Sequence, residues 1–204
     1  AIQSFNLGRY NVHNITIRGN IILNSDDPNQ PLAGACQGIG CFDGPYRNWL
    51  VENNVVSVDH YHGITFMGGE NCRIINNTVT DPTPSLRPGP ARIAIRDNKN
   101  GDHSFGCIVK NNITNYVLNI SDGHGHDTSH NVCLMRDYDL YGEYFLDHEN
   151  LDFRLRENCP AIDAADPDFA PEKDIIGTER PQGLADDIGA YEYEQSTVNI
   201  SANK

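Results

Sequence analysis

The chain has 204 residues, of which 38% are hydrophobic and 21% charged, enough for one domain with its own core. Its 28 acidic residues outnumber 15 Lys and Arg, and the net charge of −13 disfavours sequence-independent binding to nucleic acid or to an anionic bilayer. No apolar run approaches the roughly 18 to 20 residues of a membrane helix, so we expect neither nucleic acid binding nor membrane insertion.

The chain opens with the alternating pattern of a strand, in residues 1–5 (AIQSF). No basic and apolar leader precedes this strand. We therefore expect the chain to begin within a fold, as a fragment or processed product of a longer protein.

Four segments of the chain align without gaps. They are residues 15–20 (ITIRGN), 49–54 (WLVENN), 72–77 (CRIINN) and 107–112 (CIVKNN). Each ends in Asn and continues into β-rich residues, and turn-forming stretches separate them. Such self-similarity predicts a solenoid of stacked coils.

A second series of strands lies between these segments, in residues 1–5, 38–42, 63–67 and 92–96. Side chains alternate between the two faces of a strand. In the second series the residues predicted to point inward are Ile2, Ile39, Ile64 and Ile93, together with Ser4, Cys41, Phe66 and Ile95. In the first series the predicted interior stacks are Ile15, Trp49, Cys72 and Cys107, and Ile17, Val51, Ile74 and Val109.

The six cysteines are scattered, and no CxxC pair indicates a structural zinc site. Stacked coils lie about 4.8 Å apart, so Cys72 and Cys107 could form a disulfide. The alternative, which we favour, is that both are free thiols packing as small hydrophobic groups.

An asparagine occupies one register in every segment, at Asn20, Asn54, Asn77 and Asn112. Asn tolerates left-handed backbone geometry, and its amide can both donate and accept, so an asparagine ladder is expected at a bend. Strand-only coils with such a ladder resemble the right-handed parallel β-helix superfamily of pectate lyases, alginate lyases, mannuronan epimerases and phage tailspikes, over about residues 1–135. The resemblance implies an all-β, right-handed parallel β-helix of about five to six coils in residues 1–150.

Residues 151–204 depart from the coil pattern. Residues 158–166 (NCPAIDAAD), Arg180-Pro181 and residues 187–192 (DIGAYE) resemble the closing segment of secreted bacterial β-helix proteins, with Cys159 in place of the usual Ser. We expect an irregular capping tail that covers the open edge of the last coil. No cofactor is required, but Ca²⁺ is possible, since the tail is rich in carboxylates. These are Asp163, Asp166, Asp168, Asp174, Asp186 and Asp187.

Residues 58–63 (VDHYHG) bring two His, an Asp and a Tyr to the start of a strand of the second series. Removing the C5 proton of a uronic acid needs a base, an acid and a group that neutralises the carboxylate. We predict His62 or His60 as the base, Tyr61 as the acid and Arg92 or Arg96, one coil further on, as the neutralising group, with Arg96 placed among the catalytic residues. The predicted substrate-binding residues are Gln3, Gln37, Thr65, Arg92 and Asp59. Alternatively, both histidines are loop residues that pack against Tyr61.

Two functions remain open. The first is an extracellular polysaccharide lyase or epimerase acting on a uronate-containing polymer. The second is a non-catalytic carbohydrate-binding or structural β-helix module, such as a component of a phage tailspike or surface appendage. The sequence shows no aromatic row on the second series, which disfavours the second function. In both cases the expected partners are a polysaccharide, the N-terminal remainder of the same β-helix and a possible homo-oligomer, and the expected location is extracellular or on a virion or cell surface.

Overall fold

The computed structural model describes residues 2–8, 10–24, 27, 29, 34–82, 88–117, 125–135 and 137–194. The end of the predicted tail, residues 195–204, lies outside this part. The elements in chain order are β1 (Ile2–Phe5), β2 (Val12–His13), β3 (Thr16–Arg18), β4 (Ile21–Leu23), β5 (Ile39–Phe42), β6 (Tyr46–Arg47), β7 (Leu50–Glu52), β8 (Val55–Ser57), β9 (His62–Met67), β10 (Gly69–Glu70), β11 (Arg73–Ile75), β12 (Thr78–Thr80), β13 (Arg92–Arg96), β14 (Ile108–Lys110), β15 (Ile113–Thr114), β16 (Val132–Cys133), helix α1 (Tyr138–Tyr144), β17 (Phe145–Asp147), a short 3₁₀ helix (His148–Asn150) and β18 (Asp152–Leu155).

The strands up to β16 form four parallel sheets. Sheet A is β1-β5-β9-β13, sheet B is β2-β6-β10, sheet C is β3-β7-β11-β14 and sheet D is β4-β8-β12-β15-β16. The first three coils place one strand in every sheet, whereas the fourth joins sheet B through a bridge at Phe105. A fifth coil contributes β16 and bridges at Val117 and Asp127. The chain is thus a parallel β-helix, as predicted.

The predicted interior rows are confirmed. Ile39 pairs with Ile2 on one side and Ile64 on the other, and Ile64 pairs with Ile93. In sheet C, residues 17, 51, 74 and 109 lie in one register and are buried. The prediction for Ile15 was wrong, because its side chain is 41% exposed. The adjacent β3 is the edge strand of sheet C, so no other strand within the described ranges covers that side.

All six cysteines are free thiols. Cys72 and Cys107 are fully buried in neighbouring coils. The Cys72 Sγ donates to the Tyr46 carbonyl at 3.3 Å, and the Cys107 Sγ donates to the Gly69 carbonyl at 3.3 Å. The structure therefore confirms the favoured alternative, in which Cys72 and Cys107 are buried free thiols and not a disulfide.

The asparagine ladder is present and gains a fifth member, Asn131. Each Nδ2 donates to the Oδ1 of the next asparagine at 2.9 Å, from Asn20 through Asn54, Asn77 and Asn112 to Asn131. The side chains of Asn54, Asn77 and Asn112 are fully buried. The ladder therefore runs through all five coils at the bend between sheets C and D.

We predicted that the ladder asparagine would be the left-handed residue of this bend. That prediction was wrong, because the left-handed residue is the one before it. Gly19, Asn53, Asn76, Asn111 and His130 have φ between 50° and 69°. The two neighbouring residues have different roles for a physical reason. The left-handed residue turns the chain and points its side chain outward, so that the next residue can point its amide into the interior.

The tail lies along the flank of the coils, beside sheet D. That it also covers the open edge of the last coil stays a prediction. Val55 and Ile113 of sheet D pack with a core cluster that also includes the tail residues Phe153, Ile188 and Ala190. The predicted division between residues 150 and 151 stays a prediction, since β17 and β18 lie on either side of it and pair antiparallel.

Three outward asparagines hold the tail on this flank. Asn53 donates to the Lys173 carbonyl at 2.6 Å, Asn76 to the Asp187 and Gly189 carbonyls at 2.9 and 3.2 Å, and Asn111 to the Asp166 carbonyl at 3.0 Å. These are the left-handed residues of three successive coils. The tail is therefore hydrogen-bonded to each of these coils.

Candidate functional site

The outer face of sheet A carries the predicted site. Outward positions of the two central strands hold small or covered side chains, Gly40 and Thr65, which pair in register. The next outward position is larger, with Phe42 on β5 and Met67 on β9, and Phe42 pairs with Phe5 of the edge strand β1. The face therefore has a shallow depression over the small side chains, beside a row of bulky ones.

A chain of ring contacts crosses this face. The ring centroids of Phe5 and Phe42 are 5.3 Å apart, those of Phe42 and His62 are 5.0 Å apart, and His62 lies 4.3 Å from Tyr61. Tyr61 and His60 are also 4.3 Å apart. We call Phe5, Phe42, His62, Tyr61 and His60 the aromatic row. We expected no aromatic row on this face; the structure brings these five rings into contact, with Phe42 and His60 buried, Tyr61 and His62 half-buried and Phe5 exposed.

An irregularity in β9 explains how neighbouring side chains reach the same side. Arg92 pairs with His62 and Ile93 with Ile64, so Gly63 is an extra residue in the register. A Cβ on Gly63 would lie 2.4 Å from a Val79 methyl, so only glycine fits there. Strict alternation would place Tyr61 opposite His60 and His62, yet the ring centroids of the three residues lie within 5.0 Å of one another.

The two histidines differ in their hydrogen bonds. The His62 backbone N–H donates to His60 Nδ1 at 3.1 Å, which occupies that lone pair. His62 Nδ1 lies 2.9 Å from the buried Thr65 hydroxyl. In the tautomer in which Nδ1 donates to Thr65, the Nε2 lone pair of His62 is available to accept a proton.

Both histidines are held neutral. Burial, together with His60, Arg92 and Arg96, lowers the pKa of His62 to about 4. Burial also lowers the pKa of His60, against the opposing effect of Asp59. At neutral pH the aromatic row therefore carries no positive charge of its own.

The cations of the face are Arg92 and Arg96. The Arg92 guanidinium lies 5.2 Å from the centre of the Tyr61 ring, and its buried Nε has no hydrogen-bond partner among the described residues. Arg96 is exposed and makes no ion pair within the described part of the chain. By contrast, a carboxylate pairs with each of Arg18, Arg47, Arg154 and Arg180.

The remaining predicted residues have different surroundings. Gln3 donates to Gln37 Oε1 at 2.7 Å across two coils, on the exposed part of the face. Asp59 is fully buried, and its carboxylate accepts from Asn24 Nδ2 at 2.8 Å and from the Gly34 N–H at 2.7 Å. Asp59 thus fixes a loop; for it to bind substrate, these contacts would have to break.

The tail carboxylates serve as acceptors for backbone N–H groups. Asp174 accepts from Ile176, Thr178 and Glu192, and Asp187 accepts from Asp163 and Tyr193. In the described ranges, no group of three or more His, Cys, Asp or Glu could hold a metal ion. Binding of Ca²⁺ stays a prediction. No helix within those ranges has the length and hydropathy to span a membrane.

Comparison of the chain with protein-family models, with curated proteins and with solved structures gave no match. Fold and site together define a class only, a parallel β-helix protein with aromatic and cationic side chains along the outer face of one sheet. The side chains on the outer face of sheet A are therefore the basis for proposing a function.

Proposed function

We propose that the chain is an extracellular polysaccharide-binding β-helix whose sheet A face binds a uronate-containing polymer. The support is the pairing of an aromatic row with two arginines that lack a carboxylate partner in the described residues. Aromatic rings pack against the apolar faces of sugars, and arginine binds carboxylates in a bidentate manner. In a chain of net charge −13, Arg92 and Arg96 on the same strand, close enough to interact electrostatically, form a local cationic patch.

Arg96 gives the first test of this proposal. Calorimetry with oligomers of galacturonate and of mannuronate should detect binding, and Arg96→Ala should weaken it about tenfold, the loss of one charge-assisted hydrogen bond of about 1.5 kcal/mol. Arg73→Ala is the matched control, because Arg73 is equally exposed but lies on sheet C. Equal losses in both variants, or no binding of either oligomer, would contradict the proposal.

A second candidate, favoured by the free Nε2 of His62, is lyase or epimerase chemistry at the same face. His62 Nε2 would take the C5 proton, Tyr61 would protonate the leaving oxygen or the opposite face of the ring, and Arg92 or Arg96 would stabilise the carboxylate as charge builds up on it. A base with a pKa of about 4 is weak. Catalysis therefore depends on the arginines to acidify the C5 proton.

The two candidates separate in a product assay. A lyase gives an unsaturated product with a new ultraviolet absorbance, and an epimerase inverts C5 in the NMR spectrum of the polymer. His62→Gln should abolish either signal while binding of the oligomer changes less than about threefold. Binding without any product would leave the non-catalytic module as the function.

A further inference from the structure

A cavity lies away from sheet A, between helix α1, the 3₁₀ helix and the turn after β12. Its volume is about 670 Å³, and the residues that line it include Asp81, Tyr138, Asp139, Tyr141, His148 and Glu149. This volume lies within the range of small-molecule sites. We call it the helix pocket.

The aromatic wall of the helix pocket is rigid. The rings of Tyr138 and Tyr141 stack with centroids 4.6 Å apart, and the ring of His148 meets Tyr141 edge-on at 5.4 Å. The Tyr141 hydroxyl donates to Asn115 Oδ1 at 2.8 Å and accepts from the Asp81 N–H at 3.2 Å. The Tyr138 hydroxyl donates to the Asp81 carbonyl at 2.8 Å. Both rings are therefore fixed to the coils before any ligand arrives.

The polar side chains of the pocket are almost all hydrogen-bond acceptors. Asp139 and Glu149 are exposed at its rim, and Asp81 is buried. No Lys or Arg is among the described residues that line it. The two tyrosine hydroxyls already donate to the protein, so they offer few donors to a ligand. Among the described residues, the lining therefore favours a ligand that brings its own donors and carries a positive charge.

We propose that the helix pocket binds a protonated amino sugar. Such a ring has an apolar face for the half-buried Tyr138, which the buried Tyr141 supports from behind. It also has hydroxyl donors and an ammonium group that suits carboxylates and aromatic rings. The proposal is independent of the uronate site on sheet A, where the charges have the opposite sign.

Two trisaccharides test this proposal, one of glucosamine and one of N-acetylglucosamine. They have the same rings but only the first carries ammonium groups. Calorimetry with the chain should show that glucosamine trisaccharide binds at least about tenfold more tightly, since one charge-assisted hydrogen bond contributes about 1.5 kcal/mol. No binding, or equal binding of the two sugars, would overturn the proposal.

Charge variants then locate the site. Asp139→Asn combined with Glu149→Gln should weaken binding of the glucosamine trisaccharide about tenfold, because each exposed carboxylate contributes up to about 1 kcal/mol. Glu143→Gln is the matched control, since Glu143 is exposed on the same helix but does not line the pocket. All three side chains are exposed, and circular dichroism verifies folding. An equal loss in the control, or unchanged binding in the double variant, would overturn the assignment. Arg96→Ala should leave binding of the glucosamine trisaccharide unchanged, because Arg96 lies on sheet A. This result is expected whether or not the chain binds uronate oligomers, so the two proposals can fail separately.

Discussion

His62 has the strongest pKa shift of the aromatic row, and its Nε2 lone pair is available in the tautomer in which Nδ1 donates to Thr65. Its pKa falls from an ordinary 6.5 to about 4. Between these values the unfolded chain binds a proton that the folded chain does not. The contribution of His62 to the free energy of unfolding is therefore complete above pH 6.5 and is lost as the pH falls toward 4.

NMR titration of the histidine ring protons tests this shift, with His62→Gln to assign the resonance. We expect a midpoint near 4 for His62. Urea unfolding between these pH values should show a free energy that falls on acidification less steeply in the variant than in the native chain. A midpoint at the ordinary value would mean that His62 is more open to water than the structure has it.

Asn77 is the central rung of the ladder. Its Nδ2 donates to the Val51 and Ile75 carbonyls and to Asn112, and its Oδ1 accepts from the backbone and side chain of Asn54. Asn77→Ala leaves these buried groups unpaired at about 1 to 3 kcal/mol each. We expect a loss of at least about 3 kcal/mol in urea unfolding.

Asn20→Ala is the comparison for Asn77, because Asn20 ends the ladder and is only partly buried. Its loss should cost about 1 kcal/mol. Equal costs at the two positions would mean that burial does not set the strength of the ladder.

The hold of the tail on the coils can be tested at Asn76. Asn76→Gly keeps the left-handed conformation, φ 50°, and removes only the side chain that bonds to the tail. Asn71→Gly is the control, since Asn71 is also left-handed, φ 52°, but exposed and without a bond to the tail. Limited proteolysis should cut the tail faster in the first variant only. Equal rates would show that apolar packing holds the tail without Asn76.

Gly189 fixes the approach of the tail to sheet D. Its φ is 105°, and a Cβ there would lie 2.8 Å from Ile113 Cδ1 and 3.1 Å from Thr78 Oγ1. Gly189→Ala should therefore lower the midpoint of thermal unfolding, at a cost of about 1 to 3 kcal/mol. Gly142→Ala on α1 has open space around it and should raise stability by about 0.5 to 1 kcal/mol. A neutral Gly189→Ala would mean that the tail can shift on the flank.

The sequence repeat predicts the stacked coils, but it predicts little of the tail or of the site. The rows through Ile64 and Val51 and most of the ladder follow from the repeat alone, because each coil buries the same register. Asn131 was missed because the fifth coil is shorter. The position of the tail and the meeting of Phe42 with His62 depend on contacts between distant residues and on an irregular strand, which no local pattern encodes.

Three buried thiols report on how cooperatively the coils open. Cys41, Cys72 and Cys107 are at most 1% exposed and lie in the second, third and fourth coils, whereas Cys133 is exposed. Cys41 is only 1% exposed, and burial also raises its pKa, so we expect its thiol to be protected while its coil is closed. A thiol reagent should modify Cys133 at once and the three buried thiols only when their coils open.

A solenoid whose coils contact only their neighbours can open from one end. Here the tail is hydrogen-bonded to the left-handed residues of the same three coils, at Asn53, Asn76 and Asn111. None of these coils can open without releasing the tail, so mass spectrometry should give one common free energy of opening for the three thiols. Asn76→Gly should spread these values apart by at least about 1 kcal/mol, since it removes the two hydrogen bonds of Asn76 to the tail. Different values in the native chain would mean that the coils unfold one at a time and that the tail does not couple them.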